Sequence, residues 1–146
     1  MPPMDHIGLC PADFDASLRF YVDGIGLEVI FDVTLPGDMY DLLGVHTDKV
    51  RTCFVGDPAA SGSSRLELLQ LFPAAPAESP RTGYPQRGLT LVSFVTPVQA
   101  TLERLRQLGL GGEPRIMPTP AGKLSAMVVD PDGVMVELLD QAVSFG

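Results

Sequence analysis

Two glutamates occupy positions where a carboxylate is costly. Glu67 lies between Leu66 and Leu68, and Glu137 between Val136 and Leu138. A charged group inside an apolar strand must be paired, neutralised or turned into a concavity to offset its desolvation. His6 lies in the run Met4 to Cys10, which alternates as a strand with Ile7 and Leu9 on one face and His6, Gly8 and Cys10 on the other. One imidazole with two carboxylates suits divalent Fe, Mn, Co, Ni or Zn and leaves positions open for a bidentate oxygen ligand. His6, Glu67 and Glu137 are therefore candidate metal ligands. Glu67 and Glu137 are also candidate proton carriers. His46, in Leu43-Gly44-Val45-His46-Thr47, reads as a solvated loop residue. If its loop folds over the site, His46 becomes a further ligand, base or substrate contact.

The elements that must position these residues follow from periodicity and breakers. Asp13 offers an N-cap, and Phe14, Leu18, Tyr21 and Val22 fall at helical spacing until Gly24 and Gly26. Strands are expected at 27–33, 50–55 and 65–72, interrupted around Pro36–Gly44. Residues 73–88 hold too many prolines and glycines for a regular element and read as a connector. Leu89–Val95 reads as a strand. Thr96-Pro97 reads as an N-cap with proline at the first helical position, and Val98, Leu102, Leu105 and Leu108 as the apolar face of a helix ended by Gly109. Ser125–Val129 and Val134–Leu139 are expected to form a hairpin through Asp130-Pro131-Asp132-Gly133, whose proline presets φ and whose glycine tolerates positive φ.

The first half recurs in the second. His6-Ile7-Gly8-Leu9, its helix and Gly26-Leu27 align with Leu91-Val92-Ser93-Phe94, a helix and Gly109-Leu110. Arg65 to Leu69 aligns with Met135 to Leu139, so each half closes on a strand bearing one glutamate. The first half carries an extra stretch, expected in Phe31–Val50 and Gly56–Ser64, where turn formers gather. The fold class expected is α+β, two βαβββ modules forming a cupped mixed sheet in one domain over 1–146. Module one spans 1–72, the linker 73–88 and module two 89–146. If a pseudo-twofold axis relates the modules, His6, Glu67 and Glu137 converge.

Three strings carry a resemblance over nearly the whole chain. They are Asp5-His6-Ile7-Gly8-Leu9 followed by Asp15 to Tyr21, then Leu66-Glu67-Leu68-Leu69, then Asp130-Pro131-Asp132-Gly133 leading to Glu137. Together they resemble the vicinal oxygen chelate superfamily, which includes glyoxalase I, methylmalonyl-CoA epimerase, fosfomycin-resistance enzymes, extradiol dioxygenases and bleomycin-resistance proteins. The resemblance implies four metal positions at equivalent strands, here His6, Glu67, Leu91 and Glu137. Leu91 cannot coordinate. Dioxygenase and fosfomycin-resistance chemistry, which needs a histidine there, fits poorly. A glyoxalase-like enzyme is implied, acting on a small carbonyl or oxygen-rich substrate by metal-assisted proton transfer as isomerase, epimerase or lyase. The alternative is a metal-free small-molecule or antibiotic-binding protein of the bleomycin-resistance type, because Leu91 removes a ligand and makes the centre more apolar. Leu91, Ser93, Cys10 and His46 are the expected substrate contacts. A homodimer is implied by resemblance alone.

Composition limits the partners. The formal net charge is −8 and no Lys/Arg cluster overrides it, which argues against nucleic acid. The apolar runs are far shorter than a bilayer crossing and the N-terminus lacks signal-peptide character, so a cytoplasmic protein is expected. Cys10 and Cys53 have neither metal-site spacing nor disulfide density and read as small buried hydrophobes.

Overall fold

A computed structural model describes residues 2–60, 64–73, 76–78 and 83–144. Residues 61–63 of the expected insertion, and 74–75 and 79–82 of the expected connector, lie outside the described residues. The chain divides into two compact units, Met1–Ser79 and Pro80–Gly146. The fold is α+β, with one four-stranded mixed sheet in each unit.

The first unit runs β1 (Ile7–Leu9), α1 (Phe14–Arg19), β2 (Glu28–Pro36), α2 (Tyr40–Leu43), β3 (Lys49–Gly56) and β4 (Arg65–Phe72), with sheet order β1-β4-β3-β2. Only β1 and β4 are parallel. Asp13 is extended and its carboxylate accepts from the Ala16 amide at 3.0 Å, as an N-cap must. From Phe20 to Ile25 the helix widens into π-helical turns before Gly26, at φ 96°, ends it. Phe14, Ser17, Phe20, Tyr21, Gly24 and Ile25 face inward, while Leu18 and Val22, expected on that face, are half-buried. Gly24 lies within the helix and does not stop it.

Strand alternation sorts the first sheet into two faces. Cys53, Val55, Leu66 and Leu68 are buried, and Arg51 on the same face stacks over the Phe14 ring of α1 at 4.0 Å, so this side carries the helix. Glu67 and Leu69 point to the opposite, open face. The structure thus has the alternation expected of Arg65–Phe72. β1 is shorter than the run Met4 to Cys10 suggested, because only Ile7–Leu9 pair with β4. Cys10 falls beyond the last paired residue and is exposed, contrary to its reading as a buried hydrophobe. Cys53 is fully buried.

The second unit runs β5 (Leu91–Val95), α3 (Val98–Leu108), β6 (Arg115–Pro118), β7 (Leu124–Val129) and β8 (Met135–Leu139), in the matching order β5-β8-β7-β6. The start of α3 departs from expectation. Its cap residue is Pro97, not Thr96, and the cap hydrogen bond comes from far along the chain, where the Asp140 carboxylate accepts from the Val98 amide at 2.8 Å. The Thr96 hydroxyl instead meets that of Thr101 at 2.9 Å. Gly109, at φ 69°, ends the helix as expected. In the β7–β8 turn, buried Asp130 accepts from the amides of Asp132 and Val134 at 2.8 and 2.9 Å, and Gly133 takes φ 80°. β6 has no counterpart among the strands located from sequence.

Candidate functional site

The parallel pairing of β1 with β4 sets Gly8 beside Glu67. His6 therefore lies two residues before Glu67's neighbour and on the same side. Its Nε2 stands 2.9 Å from Glu67 Oε2, while its Nδ1 faces Asp5 Oδ1 at 2.6 Å. Thr52, reaching across from β3, donates its hydroxyl to the other Glu67 oxygen at 2.7 Å. The edge of the His6 ring meets Phe54 at 5.0 Å between centroids. Asp5, His6, Glu67 and Thr52 thus form one chain of polar contacts on the open face. The hydrogen bond with His6 holds the Asp5 carboxyl below the usual carboxylate range, with nearby Arg65 adding to the effect.

This geometry could take a divalent cation at the first unit only by exchange. Nε2 and Oε2, 2.9 Å apart, are in direct hydrogen-bond contact, so a cation would have to replace the Nε2 proton between them. In addition, Nδ1 is held by a carboxylate, the outer arrangement that fixes the orientation of a metal-binding histidine. Among the described residues, no group of three or more His, Cys, Asp and Glu side chains is placed to hold a metal ion.

The second unit repeats the backbone and changes the side chains. β5 pairs with β8 so that Ser93 lies beside Glu137, which makes Ser93 the counterpart of Gly8 and Leu91 that of His6. This is the alignment expected from the repeat. Ser93 donates its hydroxyl to Glu137 Oε1 at 2.5 Å. Leu91 is half-buried and offers no donor. A Cβ on Gly8 would come 3.9 Å from Glu67 Oε2, so the glycine leaves that oxygen to His6 where Ser93 instead engages Glu137.

His46 lies elsewhere in the first unit. Its loop enters β3 at Lys49, five residues from Phe54, the partner of Glu67, or about 17 Å along the strand. There His46 Nδ1 meets Asp38 Oδ2 at 2.6 Å and the ring stacks on Tyr40 at 4.2 Å. The imidazole is largely exposed, and its hydrogen bond holds the Asp38 carboxyl below the usual range. The residues that sequence reasoning missed are Asp5 and Thr52. Asp5 was adjacent to the histidine all along, but Thr52 becomes visible only once strand register is known.

Comparison with known proteins agrees with the fold. A lactoylglutathione lyase-like protein of Aspergillus terreus is 34% identical over 145 residues, spanning 93% of this chain and 74% of the relative. A glyoxalase family protein from Bacillus cereus superposes with a TM-score of 0.80 at 17% identity, covering 95% of this chain and 93% of that one. An antibiotic-binding protein from a Streptomyces species superposes with a TM-score of 0.61 at 23% identity over 95% of each chain. Residues 4–138 match the Glyoxalase/Bleomycin resistance protein/Dioxygenase superfamily. The chain belongs to that superfamily.

Proposed function

We propose that this protein is a glyoxalase-like enzyme that moves a proton on a small carbonyl or oxygen-rich substrate, as an isomerase, epimerase or lyase. The observation that carries the reading is the Asp5–His6–Glu67–Thr52 chain of contacts, which sets an imidazole and a carboxylate side by side on the open face, each oriented by a further polar partner. In this reading His6 and Glu67 would hold a divalent cation such as Zn, Ni, Co, Mn or Fe; Glu137, the third ligand expected from the sequence, belongs to the other unit. When bound, the cation polarises the substrate oxygens and acidifies the neighbouring C–H. Asp5 fixes the plane and tautomer of His6. Thr52 orients Glu67 by occupying one oxygen. A glutamate accepts the proton from carbon and returns it; Glu137, whose carboxylate is oriented by Ser93, is assigned that step, with Glu67 as the alternative carrier. The substrate arrives as a small molecule, and the protein works as a homodimer in the cytoplasm.

Elemental analysis of protein purified without chelator tests this. Close to one equivalent of transition metal per chain is expected, falling in His6→Ala. Less than about a tenth of an equivalent, with none taken up on titration, overturns the reading.

A second reading has its own support. Leu91 at the His6-equivalent position, with Ser93 bonded to Glu137, favours a metal-free cup that sequesters a small molecule, as the similarity to an antibiotic-binding protein suggests. A compound that raises the melting temperature equally with and without EDTA would favour it.

A further inference from the structure

The open face of the first sheet has a composition that the polar contacts do not use. Across the strands, Gly8, Glu67, Phe54 and Phe31 stand in one register row, and Leu69, Thr52 and Val33 in the next. Glu67 is the one charged side chain in these two rows. Phe31 is 52% exposed on the edge strand β2, where Val33 alone is not exposed, and Phe54 beside it on β3 is half-buried. Phe31 owes its place to an irregularity, because the pairing of β2 with β3 slips by one residue between Val29 and Phe31. Such a bulge re-aims side chains. It brings Ile30 onto the same side, where its Cδ1 would lie 3.3 Å from a Cβ built on Gly56, and Ile30 is also exposed.

Strand spacing puts Phe54 about 5 Å and Phe31 about 10 Å from Glu67 along the row. A polar pole, His6 with Glu67, and an aromatic pole are thus separated by about the length of one substituted ring. We infer that this face takes a planar aromatic group of the substrate, seated on Phe31 and Phe54, with the substrate's oxygens directed toward His6 and Glu67. The substrate class is an aryl carbonyl compound carrying an adjacent oxygen. Aromatic rings pair with edge and face geometry that aliphatic groups do not reproduce. These two rows hold no cationic side chain; on the same face Arg65 stands in the flanking row, beside Gly56 and Ile30. The orientation of the oxygens rests on the proposed function above; the aromatic seat stands on the register and exposure of Phe31.

Calorimetric titration with three probes tests it: 2-hydroxy-1-phenylethanone, its cyclohexyl counterpart and hydroxyacetone, each with and without Mn²⁺. The phenyl ketone is expected to bind at least about tenfold more tightly than hydroxyacetone and several-fold more tightly than the cyclohexyl compound. Phe31→Ala should remove about tenfold of the phenyl affinity and leave hydroxyacetone unchanged, with an unaltered melting temperature as the folding control. Phe31→Leu, which keeps apolar area, should abolish the phenyl-over-cyclohexyl preference. Equal binding of phenyl and methyl ketones, or of phenyl and cyclohexyl ketones, or a Phe31→Ala protein with full phenyl affinity, overturns the aromatic seat. A phenyl preference indifferent to Mn²⁺ supports the seat and counts against the metal reading. Mn²⁺-dependent hydroxyacetone binding without phenyl preference does the reverse.

Discussion

On β4, Glu67 has Gly8 on one side and Phe54 on the other; on β8, Glu137 has Ser93 and Met127 in the same two places. The row ends in Phe31 in the first sheet and in Arg115 in the second. His6 approaches Glu67, whereas Leu91, its counterpart, offers Glu137 nothing polar. The duplicated backbone keeps the carboxylate and the pairing while each unit gives the carboxylate different partners, an imidazole with the Thr52 hydroxyl in one and the Ser93 hydroxyl in the other. The difference teaches that register conserves where a group stands, and that the neighbours at that register decide what it can do. A glycine leaves Glu67 open to His6, and a single hydroxyl redirects Glu137.

Four changes would break or sharpen this contrast. The largest effect should be the same in both units. Leu68 and Leu138 occupy equivalent, fully buried positions one residue past each glutamate, and Leu→Ala at either is expected to cost about 2–5 kcal/mol in urea unfolding. A loss in one unit only would show that the two cores are not equivalent. Next, Asp5→Asn removes the carboxylate behind His6 and should weaken Mn²⁺ or Zn²⁺ binding about 10- to 100-fold in competition with a chelating dye. Asp38→Asn, which removes the matching contact from His46, should leave that affinity unchanged.

Leu91→His combined with Ser93→Gly rebuilds in the second unit the pattern of the first. It is expected to raise cation affinity or capacity by roughly tenfold, as read by the same titration. No gain would mean that more than these two side chains separates the units. The smallest effect concerns Cys53, whose equivalent in the second unit is Ala126. Burial pushes the Cys53 thiol up from the usual 9.0 to about 11. The folded state therefore holds this proton more tightly than the unfolded chain. Whatever stability the thiol contributes is fully present below pH 9 and is lost as pH rises through about 11. The stability gap between wild type and Cys53→Ala should narrow over that window, and exposed Cys10 should react with thiol reagents at pH 8 while Cys53 does not.

The repeat was legible in the letters because apolar alternation and the position of one glutamate survive duplication. From these alone, His6 aligned with Leu91 and Glu67 with Glu137, and the observed strand pairings have the same equivalence. Local signals also located Asp13 as a cap and Asp130 to Gly133 as a turn. What could not be read depended on distant residues. Asp140 caps α3 from 42 positions away, and Thr52 reaches Glu67 across 15. β6 is four residues long, all exposed and closed by Pro118, so it has neither the alternation nor the length that marks a strand. In the first helix the buried residues Phe14, Ser17, Tyr21, Gly24 and Ile25 keep a helical period, but the small Ser17 and Gly24 carry no apolar signal, so the larger Leu18 and Val22 at the edge of that face marked it instead.

Parallel Mn²⁺ titrations of the wild type and Glu67→Gln, with thermal unfolding as a folding control, ask whether the first unit's imidazole–carboxylate pair holds the cation. About one equivalent should bind to the wild type, and binding to Glu67→Gln should be at least a hundredfold weaker, the loss of a charged ligand exceeding that of an outer partner. A folded Glu67→Gln protein that binds Mn²⁺ as the wild type does would contradict that assignment.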